Sequence, residues 1–186
     1  MKVLLDANVL FPTVLREILL ACAAAGLFRP LWSPRILEEW ARATVKLGPG
    51  AEVVARGEIA ALSAAWPGAA VTPKDGDLRR LWLPDPDDVH VLAAAVAGSA
   101  DLIVTLNAKD FPRHVLAEEG LERLDPDQFL LSLHAAAPDA VAASVARVHA
   151  EAERLAGEPL PAKALLKRAR LPRLGKALAR DGALPN

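Results

Sequence analysis

The chain is poor in the residues that would staple it or give it large stacking surfaces. Cys22 is its one cysteine among 186 residues, which excludes an intrachain disulfide framework and a zinc site built from several thiolates. Aromatic residues make up only 4% of the sequence, too few to favour an all-β sandwich. No uninterrupted apolar run approaches the ~18 residues of a membrane span, and the opening residues lack the basic segment, apolar stretch and cleavage site of a secretory signal. A cytoplasmic protein with no membrane partner is therefore expected. A Gly-rich dinucleotide fingerprint and a phosphate-binding Gly-x-x-x-x-Gly-Lys segment are also missing. His90, His114, His134 and His149 lie too far apart for a local metal motif, and Trp32, Trp40, Trp66 and Trp82, spread over separate segments, read as core anchors rather than a base-stacking platform.

What is abundant is alanine, at 38 positions, a composition that favours helices packed closely through small side chains. With 53% hydrophobic and 24% charged residues, the chain is long enough to bury one sizeable core. Its net charge of −1 hides an uneven distribution. Residues 157–186 carry seven basic side chains (Lys163, Lys167, Arg168, Arg170, Arg173, Lys176, Arg180) against Glu158 and Asp181, which leaves +5 there and −6 in residues 1–156. A body with acidic excess repels nucleic acid unless a cation sits among its carboxylates or a basic strip supplies attraction.

Val3-Leu4-Leu5 and Leu102-Ile103-Val104 are continuous apolar runs of the kind found in strands buried on both faces of a parallel sheet. Leu31-Trp32, Ala69 to Thr72 and Leu121 to Leu124 are shorter strand candidates, giving five in all. Between them lie helical stretches: one from Pro12 to Gly26, one opened by Ser33-Pro34 and running to about Leu47, one over Ala51 to Trp66, and one over Asp87 to Gly98. A long segment from Pro138 to Ala156 reads as helix, and Gly157 to Pro161 separates it from a basic, leucine-interspersed tail. Strands alternating with helices imply an α/β fold with a parallel, five-stranded sheet and right-handed crossovers. The basic tail reads as a solvated face, a docking helix pair or an RNA-facing arm.

Active sites of open parallel sheets gather at the carboxyl ends of the strands, where Asp6, Asn8, Thr105 and Asn107 can meet across ~100 residues of sequence. Glu38 and Glu39 follow the second strand, and Asp85, Asp87 and Asp88 cluster before a later helix. Carboxylates converging in one cleft repel one another unless they share a hard divalent cation, and an all-oxygen set suits Mg²⁺ or Mn²⁺ better than zinc. Metal-dependent phosphoryl chemistry is one reading. Helix capping by Asp85-Pro86-Asp87-Asp88 and a solvated helix face at Glu38 and Glu39 are the plain alternatives.

Four segments taken together resemble the PIN-domain ribonucleases, in particular the VapC-type toxins of bacterial toxin–antitoxin pairs. They are Met1 to Leu10 with Asp6, Ser33 to Trp40 with Glu39, Asp85 to Ala95 with Asp88, and Asp101 to Phe111 with Asn107 and Asp110. The resemblance spans about residues 1–130. It implies a three-layer α/β/α nuclease domain over residues 1–137 with a helical extension over 138–186. It also implies a Mg²⁺- or Mn²⁺-dependent endoribonuclease in which Asp6, Glu39, Asp88 and Asp110 serve the metal and Asp6, Glu39, Asp88 and Asn107 the catalysis. An RNA substrate, products ending in 5′-phosphate and 3′-hydroxyl, a small antitoxin partner and a homodimer follow from the same resemblance. Asn107 stands where many relatives have an acidic residue, and Ala7 where many have a small hydroxyl residue. A catalytically inactive module of the same fold that binds RNA or protein is the rival reading.

Overall fold

A computed structural model describes residues 1–185. In chain order the elements are β1 (Lys2–Leu5), α1 (Ala7–Leu10), α2 (Thr13–Ala24), β2 (Arg29–Leu31), α3 (Pro34–Ala43), α4 (Ala51–Ala65), α5 (Asp75–Arg80), α6 (Val89–Gly98), β3 (Leu102–Val104), α7 (Arg113–Glu118), β4 (Glu122–Leu124), α8 (Pro126–Ala136), α9 (Pro138–Ala156), α10 (Ala162–Arg168) and α11 (Pro172–Arg180). They form two compact units, one built from residues 1–11 and 29–124 and the other from residues 12–28 and 125 onward. Among the described residues no helix is long and apolar enough to cross a membrane.

The first unit holds a four-stranded sheet in the order β2-β1-β3-β4, every neighbouring pair parallel. Its centre is the pair of continuous apolar runs. Val3, Leu4 and Leu5 of β1 lie beside Leu102, Ile103 and Val104 of β3, and all six side chains are buried. Pro30, which cannot donate to a ladder, falls in the edge strand β2, as sheet geometry requires. The expected α/β architecture is therefore present, with one strand fewer. Ala69 to Thr72 contributes only an isolated bridge, Trp32 to Ala70, because Gly68 and Pro73 bracket a stretch too short to extend the ladder. Gly98 ends α6 against β2, where a Cβ would meet Leu31 Cδ1 at 2.8 Å. A side chain at this position would require Leu31 to shift.

In the second unit α2 packs on α9, α8 packs on α9 and α11, and α10 packs on α11. Phe28 and Phe129 meet edge to face with centroids 5.0 Å apart. The buried Asp127 carboxylate accepts from the backbone N–H groups of Arg173 (2.8 Å) and Leu174 (2.9 Å), fastening the start of α11 to α8. Leu165, Leu166, Leu171, Leu174 and Leu178, the leucines interspersed among the charges of the tail, are all buried. The tail is a docked helix pair with its basic side chains turned outward.

Candidate active site

The site begins at the carboxyl end of β1. Asp6 N–H donates to Val104 O (3.2 Å), so sheet register alone brings the residue after β1 beside the residue after β3. Thr105 Oγ1 donates to Asp6 Oδ2 at 2.7 Å, and Asn8 Nδ2 donates to the same oxygen. Asn8 is itself held by Leu106 N–H, which donates to its Oδ1 (2.9 Å), while Asn107 N–H donates to Thr105 Oγ1 (2.9 Å). The loops after β1 and β3 are thereby stitched together. Burial pushes the Asp6 carboxyl above its ordinary range, and the Glu39 charge adds to the rise. The Thr105 hydroxyl, the Ala7 backbone and His90 work in the opposite direction.

Ser33 caps α3 by accepting from Ile36 N–H (3.2 Å), with Pro34 at the first helical position. This fixes the start of the helix that carries both glutamates. Glu38 turns to Arg56 and Arg42, at 2.8 and 2.9 Å, and these cations hold its carboxyl far below the usual carboxylate range. Glu39 turns the other way. Its Oε1 lies 2.7 Å from Nε2 of the buried His90 and accepts from Arg35 Nε at 3.3 Å. The His90 contact is out of line for a hydrogen bond, so both ring nitrogens are buried without a hydrogen-bond partner among the described residues. Arg35 Nη2 also donates to Asp87 O (3.3 Å), joining α3 to the turn that opens α6.

That turn, Pro86–Asp88, is a single 3₁₀ turn whose start Asp85 caps by accepting from Asp87 N–H (3.0 Å). Asp88 follows, and its Oδ2 accepts from Asn107 Nδ2 at 3.1 Å. A hydrogen-bonded chain therefore runs from Asp6 through Thr105 and Asn107 to Asp88. Partial burial, and then the charges of Asp6, Asp85 and Asp110, push the Asp88 carboxyl up to about 6, with His90 opposing. Asp85, Asp88 and Asp110 each offer a carboxylate oxygen within 4.8 Å of the others. Asp6 and Glu39 stand outside that trio. Asp6 joins it through the hydrogen-bonded chain, whereas Glu39 reaches the region through His90.

Asp6, Asn8, Thr105, Asn107 and Asp88 are joined by hydrogen bonds and Asp110 lies beside Asp88, whereas Glu38 turns away to Arg56 and Arg42. The tightest carboxylate grouping includes Asp85, which the sequence reads as a cap. It is a cap and a member of the cluster at once. Sequence reasoning gave no site role to His90 or Arg35. For His90 the available signal is its position two residues after Asp88 on an otherwise apolar helix. Arg35 sits one turn before Glu39.

The donor set suits a hard divalent cation. It is all oxygen, it carries several negative charges, and among the described residues no Lys or Arg forms an ion pair with Asp6, Asp85, Asp88 or Asp110. Fold and site together define a class, that of parallel α/β proteins with an acidic cluster at the carboxyl edge of the sheet, between adjacent central strands. The model of the PIN domain family matches residues 2–109, more than half of the chain, and the chain belongs to that family. It is also 52% identical over 44 residues to a protein of Mycobacterium tuberculosis (strain ATCC 25618 / H37Rv) named "Putative ribonuclease VapC50". The matched stretch is 24% of this chain and 26% of that protein's length. No solved structure matches the chain.

Proposed function

We propose that this chain is a divalent-metal-dependent endoribonuclease that hydrolyses RNA phosphodiester bonds and serves as the toxin of a type II toxin–antitoxin pair. The observation that carries the chemistry is the grouping of Asp85, Asp88 and Asp110, with Asp6 near enough to act on Asp88 and no Lys or Arg paired to any of them among the described residues. Burial and then these charges push the Asp88 carboxyl up to about 6. The name of the Mycobacterium tuberculosis relative supports the ribonuclease reading. A small antitoxin, a homodimer and a cytoplasmic setting complete the proposal. The nuclease function is assigned to residues 1–137, which contain the whole matched family segment, with residues 138–186 as a helical extension that shares its compact unit with residues 12–28 and 125–137.

Asp6, Glu39, Asp88 and Asp110 are the residues proposed to hold Mg²⁺ or Mn²⁺, with Asp85 beside them. A divalent ion in such a site neutralises the phosphodiester, activates a water for in-line attack and stabilises the leaving oxygen. The chain's own part is preorganisation. Thr105 and Asn8 fix the Asp6 carboxylate, Asn107 fixes Asp88, and Arg35 holds Glu39, so that the oxygens are aimed before substrate arrives.

Asn107 favours the second reading, an inactive module of the same fold, because it places a neutral amide against Asp88 where a further carboxylate would add a ligand. One assay separates the two. Purified protein is incubated with end-labelled RNA and Mn²⁺, the cut ends are mapped, and Asp6→Asn is run in parallel with calorimetric Mn²⁺ titration of both proteins. The proposal expects cleavage by wild type, none by a folded Asp6→Asn, and weaker Mn²⁺ binding by the variant. Full activity in that variant, or no Mn²⁺ binding by wild type, refutes the metal site.

A further inference from the structure

Seven of the nineteen residues from Ala162 to Arg180 are basic and none is acidic. All seven side chains are exposed. Among the described residues only Arg180 forms an ion pair, with Asp181 at 2.8 Å. Lys163 and Lys167 are one turn apart on α10, and Arg173, Lys176 and Arg180 follow a 3–4 spacing on α11, so each helix carries a continuous basic stripe. The opposite faces are spent on the core of the second unit: Leu165, Leu166, Leu174 and Leu178 are buried. A Cβ on Gly175 would come within 3.5 Å of Leu166, which shows how closely the two helices approach. Asp127 pins the start of α11 through two backbone N–H groups.

We propose that the outward face of α10 and α11 is a binding surface for the phosphodiester backbone of RNA, separate from the acidic site and making sequence-independent contacts. The ligand class follows from charge. Like-charge repulsion among seven cations costs stability unless polyanions relieve it, and long basic side chains on a rigid frame neutralise phosphates without first being ordered. Residues 1–156 carry −6, so this face is where a polyanion finds net attraction. The choice of RNA rests on the nuclease reading.

Because the leucines of this segment are core residues, point substitutions test the face where deletion would also strip the fold. The probe is a fluorescent single-stranded RNA of mixed sequence bound to Asp88→Asn protein, whose affinity is read without cleavage at 50 and 200 mM salt. Lys163→Gln, Lys167→Gln, Arg173→Gln and Lys176→Gln are combined in one variant. A second variant exchanges Lys and Arg at the same four positions and keeps the charge. Four lost phosphate contacts at ~0.7 each lower the log–log salt slope by ~3, so between the two salt concentrations wild type should lose about 50-fold more affinity than the neutral variant. The charge-keeping variant should retain the wild-type slope. An unchanged slope in the neutral variant refutes the surface, as does binding by this face of polyglutamate or a second copy of the chain but not of RNA. Wild-type protein that binds RNA through this face yet never cleaves it overturns the nuclease reading and leaves the surface standing.

Discussion

Asp88→Asn separates a metal ligand from a helix-start residue by the direction of two effects. In the folded protein Asp88 titrates near 6 against an ordinary 3.8, because burial and then the charges of Asp6, Asp85 and Asp110 disfavour its ionised form. The difference, 6 − 3.8, is about 2, which at ~1.36 kcal/mol per pH unit sets an upper bound of ~3 kcal/mol. Asp88 is only partly buried, and solvent screening reduces this to ~1 kcal/mol. Since the folded-state value lies above the unfolded one, the contribution of this group to stability is complete below about pH 4 and is lost as the pH rises through 6. The variant cannot ionise and escapes that loss, while its introduced carbonyl can still accept from Asn107 Nδ2. In EDTA at pH 7.5 it should melt about 2–4 °C above wild type, and the gap should close near pH 4. With Mn²⁺ at a hundred times its dissociation constant wild type gains ~2.7 kcal/mol, the variant gains less, and the order reverses. Cleavage should be nearly abolished. Wild-type turnover in Asp88→Asn, or an equal Mn²⁺-dependent melting shift in both proteins, would assign Asp88 to the helix start alone and refute the reasoning.

Asp85→Ala removes both the acceptor for Asp87 N–H, at a cost of ~1 kcal/mol, and one negative neighbour of Asp88. The Asp88 carboxyl should therefore titrate below 6 by NMR in the variant, and an unchanged titration would mean that Asp85 does not share the site. Burial pushes the Cys22 thiol up to about 11, so at pH 8 only about one molecule in a thousand carries the thiolate. A thiol-specific disulfide reagent should leave native protein untouched and label it on unfolding, and labelling of the folded protein would contradict the packing of α2 against α9.

What the sequence discloses and what it withholds divide along the range of the interactions. Val3-Leu4-Leu5, Leu102-Ile103-Val104 and the helix from Pro138 to Ala156 are legible because each carries its own signal, a buried run or a proline-opened amphipathic segment. The Ser33 cap is equally local. The stretch from Ala69 to Thr72 has strand composition yet makes a single bridge, since ladder length depends on a partner that composition does not reveal. The helix after Pro12 is readable as a helix. Its packing against α9 is not, because that contact joins segments about 120 residues apart in sequence. The site follows the same division: Asp6 and Asn107 are visible at strand ends, whereas the service of Thr105 to both, and of His90 to Glu39, exists only once β1 and α6 lie beside their neighbours.

The neutral residue at position 107 makes physical sense within this geometry. A carboxylate there would stand about where the amide does, 3.1 Å from Asp88 Oδ2, in a cluster where burial and then mutual repulsion have already lifted Asp88 well above its ordinary range. An amide instead donates a hydrogen bond to Asp88, and such a bond favours the charged form that a cation requires. It gives up one anionic oxygen and gains a fixed orientation for another. Its own backbone N–H is anchored on Thr105, the residue that also orients Asp6. Asn107 therefore couples the carboxylate after β1 to that of the turn before α6 without adding a further negative charge to the cluster.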